Sequence, residues 1–302
     1  MRKLWIVVFV LLQILIAWGI YDSVRFVEFD SINWSTLFRG NWEDISFTNI
    51  KHKEPLVTNF MGARNVRIEG FVGDMDIVYG DVSEITFDGQ KTLSHSSVDM
   101  DAFNNSYIEE RRQGDILTLV WRKPQGYRGT VGFTGQVTIP RSVESLDVEV
   151  TLGKVSSTGG TNNLNISADL GDVRVDDHTG SVVIDADLGA VRLSNIKATD
   201  VLKITADLGE INYRGSLALN SVIRASLGSI KLTLPEDTLT NIDASVDLGS
   251  LDCDFPLTTY SKRSLGSDVI GIMGDQSLGV PSGNLTIKAD LGSIDIKRAV
   301  IW

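Results

Sequence analysis

Sulfur chemistry is almost missing from this chain: a single cysteine, Cys253, stands among 302 residues. One thiol permits no intramolecular disulfide, no thiolate metal cluster and no CxxC redox pair. Cys253 lies between Asp252 and Asp254, so strand alternation points it inward and it reads as a core thiol without a reactive role. An exported domain without disulfides rests on packing and backbone hydrogen bonds alone. Histidine is scarce as well. His52, His95 and His178 fall in polar stretches with no serine or cysteine nucleophile phrase beside them, which argues against a catalytic triad and predicts surface-loop positions for all three.

Positive charge is also in short supply, with 28 Lys and Arg against 39 Asp and Glu and a net charge of −11. Arg2 and Lys3 precede the first apolar stretch, so the body after it is more acidic still. Nucleic-acid phosphates and anionic lipid headgroups repel such a body, and no nucleic-acid partner is expected. Divalent cations and basic surfaces remain open to it. A hydrophobic content of 42% is enough for a sizeable core over most of the chain.

Leu4 to Tyr21 forms an apolar run broken only by Gln13 and Gly19. At 1.5 Å per residue it reaches roughly 27 Å, near the hydrocarbon thickness of a bilayer. Ala17-Trp18-Gly19-Ile20 makes a poor signal-peptidase site. Residues 1–21 therefore read as an uncleaved transmembrane signal-anchor. Arg2 and Lys3 hold the N-terminus in the cytoplasm, with Trp18 and Tyr21 at the outer interface. This predicts a single-pass cell-membrane protein whose C-terminal domain is extracytoplasmic. Residues 22–44 form a juxtamembrane segment, rich in aromatics from Phe26 to Trp42, of no assigned structure.

The 28 glycines are spread evenly, and aligning the chain on Leu-Gly pairs explains why. One phrase recurs seven times, from Thr151-Leu152-Gly153-Lys154-Val155 and Asp169-Leu170-Gly171-Asp172-Val173 to Asp290-Leu291-Gly292-Ser293-Ile294. Its glycines are Gly153, Gly171, Gly189, Gly209, Gly228, Gly249 and Gly292, spaced by 18, 18, 20, 19, 21 and 43 residues. Leu164, Ile166, Ala168 and Leu170 alternate before one glycine and Val173 and Val175 after it, which is strand periodicity. From Leu170 to Val173 the phase slips by one, so the glycine marks a bulge or corner. Strands this short need neighbours, and stacked turns about 4.8 Å apart supply them. The fold expected is an all-β, parallel β-solenoid (β-helix-like) of 18–21-residue turns, following one N-terminal transmembrane helix.

Two other solenoids fail. The six-residue frame of the left-handed hexapeptide helix runs through Leu164, Leu170 and Leu188 but meets Asp176 and Ser194, and no GGxGxD phrase of a calcium roll occurs. Val66 to Tyr79 reads as an earlier, degenerate turn around Gly73, and Ile116 to Trp121 and Gln136 to Ile139 alternate as strands. The solenoid domain is placed at residues 45–302, with clear repeats over 145–299. The segment 257–283 lacks visible aliphatic alternation and reads as a loop insertion carrying an apolar cluster of Val269, Ile270, Ile272 and Met273. That cluster either folds back over the solenoid or forms a loop that contacts a partner or the membrane surface.

The phrase Val137-Thr138-Ile139-Pro140 and the serial Ala-Asp-Leu-Gly-x-Val/Ile copies after an apolar N-terminus resemble a bacterial family. It is the membrane-anchored putative-adhesin family of unknown function, with β-helical repeats, whose members include the LiaG type. The resemblance spans roughly residues 60–299. It implies β-helical architecture and, since LiaG-type members are associated with cell-envelope stress operons, an envelope-related role.

Asp169, Asp187, Asp207, Asp247 and Asp290 share one repeat position, where Thr151 and Ser226 stand in the other copies. A calcium ladder would want carboxylates throughout, whereas Asp, Ser and Thr share a short oxygen suited to turn capping, and capping is the role expected. Acids confined to one repeat position do not converge as a glycosidase requires. Arg111, Arg112, Arg122, Lys123 and Arg128 bracket Trp121 and Tyr127, either as a surface for anionic glycan or phosphate or, the reading we prefer, as solvated charges flanking a strand. No catalytic residue, metal or cofactor is assigned. The function expected is a non-catalytic, membrane-anchored cell-surface interaction or scaffold module that meets an envelope protein or glycan. The alternatives are a regulatory partner of an envelope-stress membrane sensor and a carbohydrate-active β-helix enzyme.

Overall fold

Aliphatic residues at every second position force one strand face inward, and a glycine where that phase slips forces a corner. The computed structural model describes residues 50–94, 100–124, 130–258, 261–262 and 266–299. The anchor and juxtamembrane segments, His95, Tyr127 and Arg128 lie outside the described residues. Among the described residues no helix is long and apolar enough to cross a membrane. The chain is all-β and solenoid-like.

Its N-terminal half holds β1 (Ile50–Met61), β2 (Asn65–Val72), β3 (Met75–Gly80), β4 (Glu84–Ser94), a short helix (Met100–Asn104), β5 (Tyr107–Gln113), β6 (Ile116–Arg122) and β7 (Thr130–Pro140). The regular turns follow as β8 (Ser145–Leu152), β9 (Val155–Thr158), β10 (Asn163–Leu170), β11 (Val173–Asp176), β12 (Thr179–Leu188), β13 (Val191–Leu208), β14 (Ile211–Ser216) and β15 (Asn220–Pro235). The C-terminal part adds β16 (Thr240–Cys253), β17 (Ser261–Lys262), β18 (Ser267–Met273) and β19 (Asn284–Ala299).

Each turn is extended before the glycine and after it, as a single strand through it in β15, β16 and β19, and like stretches pair in parallel from turn to turn. Before the corner, Ile166 faces Val148 on one side and Ile184 on the other. The column continues through Ile204, Ile223 and Ile287, and none of these six side chains is more than 3% exposed. After the corner, Val155, Val173, Val191, Ile211, Ile230 and Ile294 stack in the same way. One continuous aliphatic core lies between the two ladders.

Spatial order departs from chain order at both ends. β19 pairs in parallel with β15 over Asn220–Pro235 and with β16 over Asn241–Cys253, so the last strand of the chain is inserted between two earlier turns. Likewise the first turn, β2 and β3, lies between β6–β7 and β8–β9. Antiparallel strands then close the stack: β5 on β6, β4 on β7 and β1 on β4 at one end, and β18 on β16 at the other.

The insertion 257–283 is therefore corrected. It is not an excursion without alternation: Ser267, Val269 and Met273 are buried while Ile270 is 65% exposed, a period-two pattern set by pairing of Val269 with Ala244 and Met273 with Thr240. Gly271 and the polar Ser267 hide that pattern in the sequence. Of the apolar cluster, Val269 and Met273 seal the end of the core, Ile272 is half-buried and Ile270 faces out.

Candidate interaction edge at the glycine corners

The seven corner glycines form one column. Their φ angles lie between 127° and 159°, where side chains other than glycine are strained. A Cβ on any of them would fall 1.6–2.2 Å from the carbonyl oxygen of the neighbouring corner glycine, so the close approach of consecutive turns requires glycine twice over. Corner N–H groups are bonded across turns, Gly171 N donating to Leu188 O at 2.8 Å and Gly189 N to Leu208 O at 3.0 Å.

This tight corner rotates the preceding leucine to the rim. Leu152, Leu170, Leu188, Leu208, Leu227, Leu291 and Leu248 are in register on successive turns. Five are half-buried, and Leu291 and Leu248 are 49% and 47% exposed. A row of leucines thus runs along the outside of the solenoid with no protein covering it among the described residues.

Beside it runs the carboxylate row. Asp169, Asp187, Asp207, Asp290 and Asp247 are all exposed, with Thr151 and Ser226 completing the row. Partial burial raises the Asp169 carboxyl pKa, with Glu149 adding to it. Partial burial also raises that of Asp187, followed by repulsion from Asp169, Asp207 and Asp185. Ser226 Oγ donates to Asp207 Oδ1 at 3.2 Å, and Lys288 Nζ lies 2.9 Å from Asp290 Oδ1. The capping role expected for these five falls to other carboxylates. Asp74 Oδ1 accepts from Lys154 N at 2.9 Å and Asp172 Oδ1 from Ala190 N at 2.8 Å. Residues just after the corner glycine face the next turn's backbone, whereas those two before it project outward. Among the described residues no group of three or more His, Cys, Asp or Glu is gathered as a metal would need.

Other expected sites resolve differently. Arg111 pairs with Glu109 at 2.9 Å, Arg112 with Glu110 at 2.6 Å and Arg122 with Glu109 at 2.5 Å, which holds the Glu109 carboxyl below its usual range. Trp121 is buried and donates to Val131 O at 3.1 Å. These arginines are spent on their own strand pair, and the aromatic faces the core. Cys253 is half-buried against the core, and burial raises its thiol pKa. His52 is exposed, edge-on to Phe103 at 4.8 Å.

His178 is a correction. It is fully buried and its Nε2 lies 2.9 Å from Asn162 O, so Nε2 donates and Nδ1 is left as an acceptor. Tyr79 and Ser157 are buried with it, Tyr79 donating to Asn162 Oδ1 at 3.3 Å. Ser157 Oγ, Asn162 Nδ2 and His178 Nδ1 have no partner among the described residues. Aligning the turns would have located it: Thr179 faces Lys197, so His178 occupies the position of the core residue Ile196.

The family model described as Toastrack DUF4097 matches residues 44–296. The chain belongs to this family. No curated protein matches the chain. Among solved structures, this Toastrack chain is similar to a putative cell adhesion protein from Clostridium sporogenes ATCC 15579, at 13% identity over 82% of this chain and 100% of that one, with a TM-score of 0.36. It is also similar to putative adhesins from Bacteroides fragilis NCTC 9343, at 11% identity over 80% and 97% of the two chains with a TM-score of 0.29, and Parabacteroides merdae ATCC 43184, at 7% over 83% and 98% with a TM-score of 0.28. Overlap this loose bears on neither ligand nor activity of the Toastrack chain.

Proposed function

We propose that the chain is an adhesin-like interaction or scaffold module of the bacterial cell envelope, held outside the membrane by the N-terminal helix of residues 1–21 and acting by binding, not catalysis. The observation that supports this reading most is the leucine row. Seven in-register leucines stand at the rim, two of them about half exposed, and contiguous apolar surface of this kind marks contact with another molecule. The apolar run from Leu4 to Tyr21 supports the anchor, and the acidic body supports a partner of opposite charge.

The test has two arms in living cells. A phosphatase fused after Trp302, active only outside the membrane, reports topology. Proximity labelling from the same position compares the native chain with the triple variant Leu188→Gln, Leu208→Gln, Leu227→Gln. We expect an active phosphatase and a defined set of labelled envelope neighbours that the variant loses. An inactive phosphatase, an unchanged labelled set, or turnover of cell-wall polysaccharide by the purified protein would overturn the proposal.

A further inference from the structure

The leucine and aspartate rows have a common pitch, and that pitch selects a partner. Successive rungs are about 4.8 Å apart. An α-helix laid along the row presents a side chain to it once per turn, about every 5.4 Å, whereas an extended strand presents one about every 6.8 Å. The helix is the closer match. Seven leucines in register span about 29 Å, the length of about 19 helical residues.

Charge narrows the choice. Five of the seven rungs carry an exposed aspartate beside the leucine, and Asp187 and Asp207 are each flanked by like charge or a hydroxyl and have no ion pair among the described residues. A second copy laid antiparallel, row on row, would bring aspartates against aspartates. Anionic lipid and anionic glycan meet the same repulsion, and the row has no aromatic ring for a neutral sugar to stack on. A partner with apolar side chains at i, i+3, i+4 and i+7 and lysine or arginine along one flank satisfies both rows at once.

We propose that the corner edge docks a cationic amphipathic α-helix lying lengthwise along the solenoid, its apolar stripe on the leucine row and its basic flank over the aspartate row. This rests on the interaction-module reading and names its partner class. One local reversal bears on register. Arg224 and Lys288 stand side by side on adjacent rungs and, with Thr205, Ala225, Ser226 and Asp290, line a shallow hollow of about 340 Å³. It lies where Ser226 replaces the repeat aspartate, and although Asp290 already pairs with Lys288, the added charge of Arg224 favours an acidic residue at one point of the docked helix.

The full chain in phosphatidylcholine nanodiscs is titrated with a fluorescent leucine–lysine peptide of about 19 residues at helical spacing. Empty discs give the background. The comparison peptides are the same composition rearranged to strict strand alternation and a leucine–glutamate version at helical spacing. We expect saturable binding of the helical leucine–lysine peptide alone. It weakens at least tenfold in the Leu188→Gln, Leu208→Gln, Leu227→Gln variant, and several-fold, with a flatter salt dependence, in Asp187→Asn, Asp207→Asn. Should the triple variant melt early, Leu248→Gln with Leu291→Gln, at the two most exposed leucines, carries the same test. Equal binding of the rearranged or glutamate peptide, or binding indifferent to the leucine variants, overturns the proposal. If no peptide binds while the triple variant still loses its labelled neighbours in cells, the helix assignment fails and the interaction module stands. If that labelled set is also unchanged, both fail.

Discussion

Gly189 packs directly on Gly171: a Cβ at Gly189 would lie 1.9 Å from the Gly171 carbonyl oxygen. Gly189→Val meets that backbone atom, which cannot rotate away, and must also hold φ near 150°. Positive φ alone costs a branched residue about 1–2 kcal/mol, and displacing the neighbouring turn raises the total beyond about 4 kcal/mol. Equilibrium urea unfolding is expected to show a midpoint far below that of the native chain. A loss under about 1 kcal/mol would mean that the turns slide apart freely and the glycine column is dispensable.

Two positions away, Asp187→Asn should do the opposite. The folded Asp187 carboxyl titrates above its ordinary pKa of 3.8 because of partial burial and then the aspartates around it. The folded chain therefore binds this proton more tightly than the unfolded one, and stability declines as pH rises from about 4 through the folded pKa. Removing the charge is expected to stabilise the protein at pH 7, by under about 1 kcal/mol since the group is exposed, and to change nothing at pH 3. Destabilisation at pH 7, greatest in the presence of calcium, would point instead to a metal bound along the row.

The corners, the parallel stacking and the column of aspartates were legible because each repeats, and a repeat turns one weak local signal into seven aligned ones. What failed to show was whatever the repeat does not state. The insertion of β19 between β15 and β16 leaves no trace, since Ser226-Leu227-Gly228-Ser229-Ile230 and Asp290-Leu291-Gly292-Ser293-Ile294 are equally good neighbours for Asp247-Leu248-Gly249-Ser250-Leu251. The strand β18 was hidden by Gly271 at an alternating position. His178 was misplaced because polar residues surround it in sequence, although its register with Ile196 puts it in the core. The capping carboxylates sit one residue after the glycine, on a side of the corner that composition alone does not distinguish from the other.

His178 makes the fold acid-sensitive. Burial lowers the imidazole pKa from 6.5, against a smaller opposing pull from Asn162 O. The unfolded chain takes up a proton that the folded chain resists, so stability is complete above about pH 6.5 and falls below it, with a slope approaching about 1.4 kcal/mol per pH unit. Tyr79, whose pKa burial raises, stays neutral throughout this range and supplies no countercharge. Melting between pH 7 and pH 5 is expected to be markedly flatter for His178→Gln. Identical slopes for the two proteins would show that another group controls the acid limb.

On β18, neighbours in sequence should differ sharply in cost. Met273 is fully buried and Ile270 is 65% exposed. Met273→Ala is expected to cost about 2–4 kcal/mol through the cavity left at the end of the core, and Ile270→Ala under about 0.5 kcal/mol. Similar losses at both positions, read by denaturant midpoint, would mean that β18 does not lie on β16 in the register described.

Removing the last strand tests the inserted topology. In a solenoid whose turns follow chain order, deleting the final turn shortens the stack by one and leaves the rest intact, because each turn contacts only its neighbours. Here β19 is the parallel partner of both β15 and β16, so a chain ending at Gly283 loses the link between the Gly228 and Gly249 turns. β16 and β18 would then keep only each other and the two-residue β17, and so small an isolated set of strands is marginal in water. Limited proteolysis is expected to cut freely from about residue 240 onward while the turns at Gly153 to Gly209 remain protected. The competing outcome is concrete. β16 carries Leu248-Gly249-Ser250 and β15 carries Leu227-Gly228-Ser229, so direct pairing of the two would restore a continuous, protected and shorter solenoid. Protection of residues 240–253 in the truncated chain would therefore show that β19 is an interchangeable turn and not the element that joins the end of the stack to its body.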